Sequence, residues 1–324
     1  MSTLNQVRIL IVISNNHWWS RTHIYFWFFF GEICKTNFYT AIEQIEDLET
    51  LIYNCSSKSI EVPQEIRDFM ESELVKRAIG DNERLQYYLK QIEEFSKDWE
   101  LYEKSDDTTI YFKPSDNEDG SLTFGGESII KSHMTNPWAV LFEHDLLHQW
   151  VPTVKRVDLV KEQCLLKKLI HLKIDLYTPF SDRDLMCEGT GVLLEDEKAA
   201  CFIMRSEPSD SFFGKSIDPD CEGRVRMNMK HGFMHMQYID EHTCKFRIIM
   251  NVDMKISLTQ GWVGKMIMNK VIKVWIYTIA KKSEDFKGSE FAKRLIRNPL
   301  YRLLTKRLNI SFPEKDQILN TCTK

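Results

Sequence analysis

The chain has 324 residues, of which 43% are hydrophobic and 28% charged, with a formal net charge of −4. This balance supplies enough apolar side chain for a core. It excludes a dedicated nucleic-acid binder, which needs a basic stripe to displace counterions from phosphates. The eight cysteines are scattered with no C-x-x-C pair, which excludes a zinc ribbon and a redox dithiol and points to a reducing, intracellular setting.

Residues 1–36 form a poorly defined apolar segment, in which two short apolar runs, 7–13 and 24–30, flank a polar stretch containing Arg21. Neither run reaches the ~20 residues of a spanning helix, and fusing them would bury the arginine. The expected location is the cytoplasm. The lack of acidic residues before Glu32 leaves a mitochondrial address, or membrane association through this segment, as the alternative. Residues 37–82 read as accessory helices. Apolar residues at spacings of three and four run through Ala41–Ile52, Pro63 opens a second helix, and Gly80-Asp81-Asn82 ends it and caps a further one over 83–97.

The pattern changes at Trp99. Trp99–Lys104, Thr108–Lys113 and Leu122–Lys131 read as short strands separated by turn-rich segments. Pro137–Trp150 returns to helix, and Pro152 forces an extended exit. Five further runs then alternate with period two. In Leu166–Leu176 the apolar set is Leu166, Ile170, Leu172, Ile174 and Leu176, with Lys167, His171, Lys173 and Asp175 opposite. Asp184–Leu194 and Ala199–Ser206 follow. Met227 and Met229 share a face, and after a slip at His231-Gly232 the parity reverses to Met234, Met236 and Tyr238. The last run places Cys244, Phe246, Ile248, Met250 and Val252 together. Strict alternation predicts an antiparallel sheet with one dry and one wet face, and the slip predicts a bulge that bends it. Gly261–Lys281 is apolar nearly all round, as a helix buried on most sides must be. A basic amphipathic segment, Gly288–Leu308, comes after it. The predicted class is α+β: a curved antiparallel sheet wrapped around a long C-terminal helix, with extra helices at the N-terminus.

Three motifs give this pattern a family resemblance. They are His148-Gln149-Trp150-Val151-Pro152 leaving the second helix, Tyr177-Thr178-Pro179-Phe180-Ser181-Asp182-Arg183-Asp184 at a strand-to-strand corner, and Gly261-Trp262-Val263 opening the final helix. Residues 83–285 resemble a START domain, the steroidogenic acute regulatory protein-related lipid-transfer family, with 286–324 left as a basic C-terminal helix and tail. The resemblance implies a helix-grip fold whose hydrophobic tunnel lies between sheet and last helix. It implies lipid binding, as intracellular transfer or sensing of a single lipid or sterol-like ligand, and a loop near Ser257–Gly261 that opens to admit it. It implies no enzymatic activity and no cofactor or metal. The partners expected are that ligand, transient contact with a membrane surface aided by the basic segment Lys281–Arg307, and a protein bound through the acidic N-terminal helices. No nucleic acid is expected.

Parity then nominates the tunnel lining as Leu172, Ile174, Leu176, Met227, Met229, Met234, Met236, Phe246, Ile248, Met250, Trp262, Met266 and Val271. Flexible thioethers adapt to irregular ligands, and they equally fill ordinary cores. Glu188 and Arg205 each interrupt an apolar strand. They either orient a ligand inside the tunnel or point outward into water. Pro179, Arg183 and Asp184 are assigned to the corner, with Arg183 and Asp184 as a buried ion pair or a capped turn or, as the alternative, an anchor for a polar head group. His144 and His148 have a spacing that can bind zinc, but the glutamate that a protease site needs after the first histidine is replaced by Asp145. No nucleophile elbow, P-loop or dinucleotide fingerprint occurs. The alternative function is a non-catalytic scaffold or assembly subunit on the same fold, its tunnel filled by its own side chains.

Overall fold

A computed structural model describes residues 38–57, 62–95, 97–114, 122–176, 180–217, 223–255, 261–314 and 318. The apolar segment 1–36, Pro179 and the loop expected to open before the last helix lie outside the described residues.

Nine strands lie side by side in one open sheet: β1 (Glu100–Lys104), β2 (Thr108–Pro114), β3 (Leu122–Ile130), β4 (Val154–Cys164), β5 (Lys167–Ile174), β6 (Arg183–Leu194), β7 (Ala199–Ser206), β11 (Asn228–Asp240) and β12 (Thr243–Asp253). Their order is β1-β2-β3-β12-β11-β7-β6-β5-β4, and every pairing along it is antiparallel. The tenth member, β10 (Val225–Arg226), pairs in parallel with the start of β6. A separate small hairpin joins β8 (Ser211–Phe212) to β9 (Lys215–Ser216). Sequence alternation does not identify this hairpin, nor β4, an edge strand on which Lys155, Arg156 and Asp158 leave little apolar signal. The expected parity slip is real. The β11–β12 register shifts between Met229 and His231. Gly232 fits the crowding there, since a Cβ on it would lie 2.7 Å from Met229 Sδ and 2.9 Å from Met204 Cβ.

Helices cover both faces. On the inner face lie α4 (Thr135–Phe142) and α5 (Gly261–Glu284); a 3₁₀ turn, His144–Gln149, replaces the second half of the helix expected over 137–150. The outer face carries α1 (Phe38–Ser57) and α3 (Glu73–Glu93), with the short α2 (Gln64–Met70) between them in sequence. This corrects the expectation of one wet face. Val192, Leu194, Ile203, Phe233 and Ile249 point outward and are buried in a second apolar cluster with Ile45, Leu85 and Tyr88 of the N-terminal helices. The apolar side of those helices is spent on the sheet.

Helix α3 also runs unbroken through Gly80-Asp81-Asn82, across the domain boundary placed after residue 82. Asp81 does not cap a new helix; its carboxylate is buried against Lys167 and Thr190 of the sheet. At the other end the basic segment splits into α6 (Glu290–Arg297) and α7 (Pro299–Arg307), because Pro299 occupies a first-turn position and Asn298 caps it. Both helices contribute Phe291, Leu295, Tyr301 and Leu304 to the same cluster as Trp138 of α4 and Ile276 of α5. The boundary placed after 285 therefore cuts through a shared core. Several of the segment's cations are also engaged, Arg294 by Glu143 and Asp145, and Arg307 by Glu195.

Candidate functional site: the inner face of the sheet

Adjacent glycines on β3 show how closely the layers approach. A Cβ on Gly126 would lie 2.6 Å from Ile276 of α5, while one on Gly125 would lie 2.6 Å from Phe95 on the opposite side. Beneath α5 the inner face is sealed: Phe124, Ile130, Phe246, Ile248 and Met236 are at most 2% exposed. Of the residues nominated from parity, Leu172, Met227, Met229, Met234, Met236, Phe246, Ile248 and Met250 are gathered in one buried cluster with Ile272, Ile276 and Ile279, and Ile174 packs against it. Val271 is half-buried on α5, and Leu176 is half-buried beyond the end of β5. The side chains of Trp262 and Met266 fall outside the description.

The face opens toward β5–β7. Ile170 and Ile174 of β5, Gly189 and Gly191 of β6, and Phe202 and Met204 of β7 share the inner parity and are all partly accessible. Among the described residues no atom lies within 4 Å of where a Gly189 Cβ would sit, so no described side chain covers this part of the floor. Phe142 at the end of α4 lies across from it, its ring 6.3 Å from that of Phe202. Alternation of large apolar residues does not nominate Gly189, Phe202 or Met204. The available signal was the run Gly189-Thr190-Gly191, which leaves inward positions of a central strand without side chains.

Glu188 and Arg205 are not in this hollow. Both project from the outer face into a buried ion network beneath α3, which corrects their nomination as tunnel residues. Glu188 meets Lys167 at 2.7 Å, Arg205 at 2.8 Å and Arg77 of α3 at 3.0 Å. Arg77 also contacts Glu207 at 2.7 Å and Glu73 at 2.7 Å, and Lys167 contacts Asp81 at 2.6 Å. Burial by itself raises the Glu188 carboxyl, but Lys167, Arg205 and Arg77 together outweigh it and hold the group down at about 2. Above this network a polar cleft of about 400 Å³ is lined by Glu71, Glu73, Lys76, Arg77, Arg84, Arg205, Ser209 and Ser211. Such walls suit water and ions, not hydrocarbon.

At the corner, Arg183 and Asp184 part company, since consecutive strand residues face opposite sides. Arg183 donates to the carbonyls of Met254 at 2.7 Å and Lys255 at 3.4 Å, and to those of Ser181 and Asp182. It thereby ties the start of β6 to the exit of β12. Asp184 accepts from His171 Nε2 and Arg226 Nε, each at 2.7 Å. His171 lies on the outer side as its parity predicts, but partly buried in its hydrogen bond to Asp184 instead of in open water. Among the described residues no cluster of metal-ligating side chains occurs, and no helix is long and apolar enough to cross a membrane.

No protein-family model matches the chain, and no curated protein matches it by sequence. Solved structures do match in fold. Human StAR-related lipid transfer protein 5 superposes with a TM-score of 0.56 at 13% identity, covering 65% of this chain and 98% of that one. Human STARD10 gives 0.51 at 13% identity over 75% of this chain and 88% of its own. The lipid transfer and protein localization domain of human StarD13 gives 0.50 at 12% identity, covering 61% and 95%. The chain therefore has the START-like helix-grip α+β fold.

Proposed function

We propose that this protein binds a single lipid-sized apolar ligand on the inner face of its sheet, for intracellular transfer or sensing, without catalysing a reaction. The reading rests on one observation: the inner face is sealed under α5, yet among the described residues no atom covers Gly189, which shares that face with the partly accessible Ile170, Phe202 and Met204. Hydrocarbon placed there leaves water at a gain of about 25 cal/mol per Å². START-like neighbours named as lipid transfer proteins support the same reading. The cytoplasm suits the free thiols of Cys55, Cys187, Cys201 and Cys244.

Two groups that might be suspected of chemistry are unsuited to it. Glu188 stays ionised under its three cations and has no proton to give near neutral pH. Burial pushes the Cys187 thiol up to about 12, too high for a thiolate nucleophile. The test is mass spectrometry of lipid retained by the natively purified full chain, with uptake from phosphatidylcholine vesicles measured alongside. Retained or acquired lipid in about equimolar amount is the expected result. A chain that holds none and acquires none is the scaffold alternative instead.

A further inference from the structure

Two cations, Lys168 and Arg183, share the inward parity on β5–β7, and one of them borders the hollow. Lys168 shares the inward parity of Ile170, Leu172 and Ile174 on β5, and the β5–β6 register sets it directly opposite Gly189. Residues opposite one another in an antiparallel pair project to the same face with Cβ positions about 5 Å apart. Here one of the two positions has no side chain and, among the described residues, nothing within 4 Å of its Cβ site, so Lys168 flanks that open stretch of floor.

Its environment is that of a group kept at a boundary. The side chain is 18% exposed, and its Nζ lies 3.2 Å from Glu162 Oε2 on the edge strand β4. The same Nζ sits 4.5 Å over the ring of Phe142, across the hollow. Glu162 is 41% exposed; a carboxylate so wetted is held weakly and returns to water easily. The other inward cation, Arg183, spends its donors on four backbone carbonyls at the far end of β6. Lys167, Arg205 and His171 face the other way, into the ion network and Asp184. The nearby His144 is kept neutral chiefly by burial and then by the charge of Lys168, so it adds no competing positive charge.

We propose that Lys168 anchors the anionic head of the ligand, a carboxylate or phosphate oxygen, which displaces Glu162 while the hydrocarbon lies over Gly189 toward Phe202 and Met204. This rests on the lipid-binding reading above and specifies the ligand class. A charge-assisted contact shielded by the ligand's own hydrocarbon is stronger than the exposed pair it replaces. The Phe142 ring holds the ammonium at this border by a cation–π contact.

The experiment incubates the full chain with phosphatidylcholine vesicles carrying equal amounts of oleic acid, phosphatidic acid, diacylglycerol and cholesterol, then identifies the lipid on the re-isolated protein. The wild type should favour the two acidic lipids over the two neutral ones by about tenfold, the worth of one good charged contact. Preference between oleic and phosphatidic acid tells carboxylate from phosphate. Lys168→Gln should abolish the acidic preference while leaving neutral uptake intact, Lys168→Arg should restore most of it, and Glu162→Gln should raise acidic retention a few-fold. Should Lys168→Gln fail to fold, the Glu162→Gln and Lys168→Arg arms still decide the matter. Lipid uptake indifferent to both positions overturns the anchor and leaves lipid binding standing. No uptake of any lipid by the wild type overturns both.

Discussion

The two faces of this sheet are built from alternating residues of the same strands, yet around Glu188 they bury opposite chemistry. Outward from β5–β7 point Lys167, Glu188, Thr190 and Arg205, buried beneath a helix that brings Arg77 and Asp81 to meet them. Inward from the same strands point Ile170, Cys187, Gly189, Phe202 and Met204. The outer face is closed by partners of fixed geometry, since a buried charge without one is costly. The inner face is held by non-directional packing, which tolerates an unfilled position at modest cost when the gap can take a guest. The contrast teaches that a buried charge on a strand need not belong to a candidate ligand site. It can instead fix the layer behind the site.

Breaking the outer face should have the largest effect. Glu188→Ala leaves Lys167, Arg205 and Arg77 without their shared carboxylate and should cost about 3–5 kcal/mol in denaturant unfolding; a loss under about 1 kcal/mol would mean the network is not the lock described. The same loss can be titrated. Because the folded Glu188 carboxyl is held near 2, below the ordinary value of 4.5, the unfolded chain takes up its proton first as pH falls. The contribution is complete above about pH 4.5 and disappears as pH drops toward 2. Glu188→Gln should flatten the stability profile in that window, and an unchanged profile would refute the assignment.

The inner face sharpens the comparison with smaller effects. Gly126→Val drives a side chain into Ile276 and should cost about 1–3 kcal/mol by thermal or denaturant unfolding. At Gly189 a Cβ meets nothing within 4 Å among the described residues, so Gly189→Val should leave stability unchanged, or raised by up to about 1 kcal/mol through strand propensity, while it lowers lipid retention. Equal destabilisation by the two valines would mean that Gly189 is as tightly covered as Gly126.

Much of this was legible in the sequence. Period two located most strands of the main sheet within a residue or two, and the reversal between Met229 and Met234 announced the bulge. The apolar run after Gly261 announced the gripping helix. The rest escaped for physical reasons. Edge strand β4 carries charges because one side of it meets water, which erases the alternation that marks a strand. Glu188 and Arg205 stood out as charges among apolar residues, but their placement depended on Arg77, more than a hundred positions away. The hollow itself is marked by the missing side chain at Gly189, and period-two reading counts what is present.

The C-terminal pair α6–α7 bears on how the molecule can be divided. Tyr301 is fully buried, packs edge-on against Trp138 at 6.4 Å and gives its hydroxyl to Glu143, so the last turns of the chain act as a keel under α4. A fragment ending at residue 285 would carry a raw hydrophobic scar along that helix. The extension is structural ballast for the whole grip, and shorter expression boundaries should be drawn beyond it.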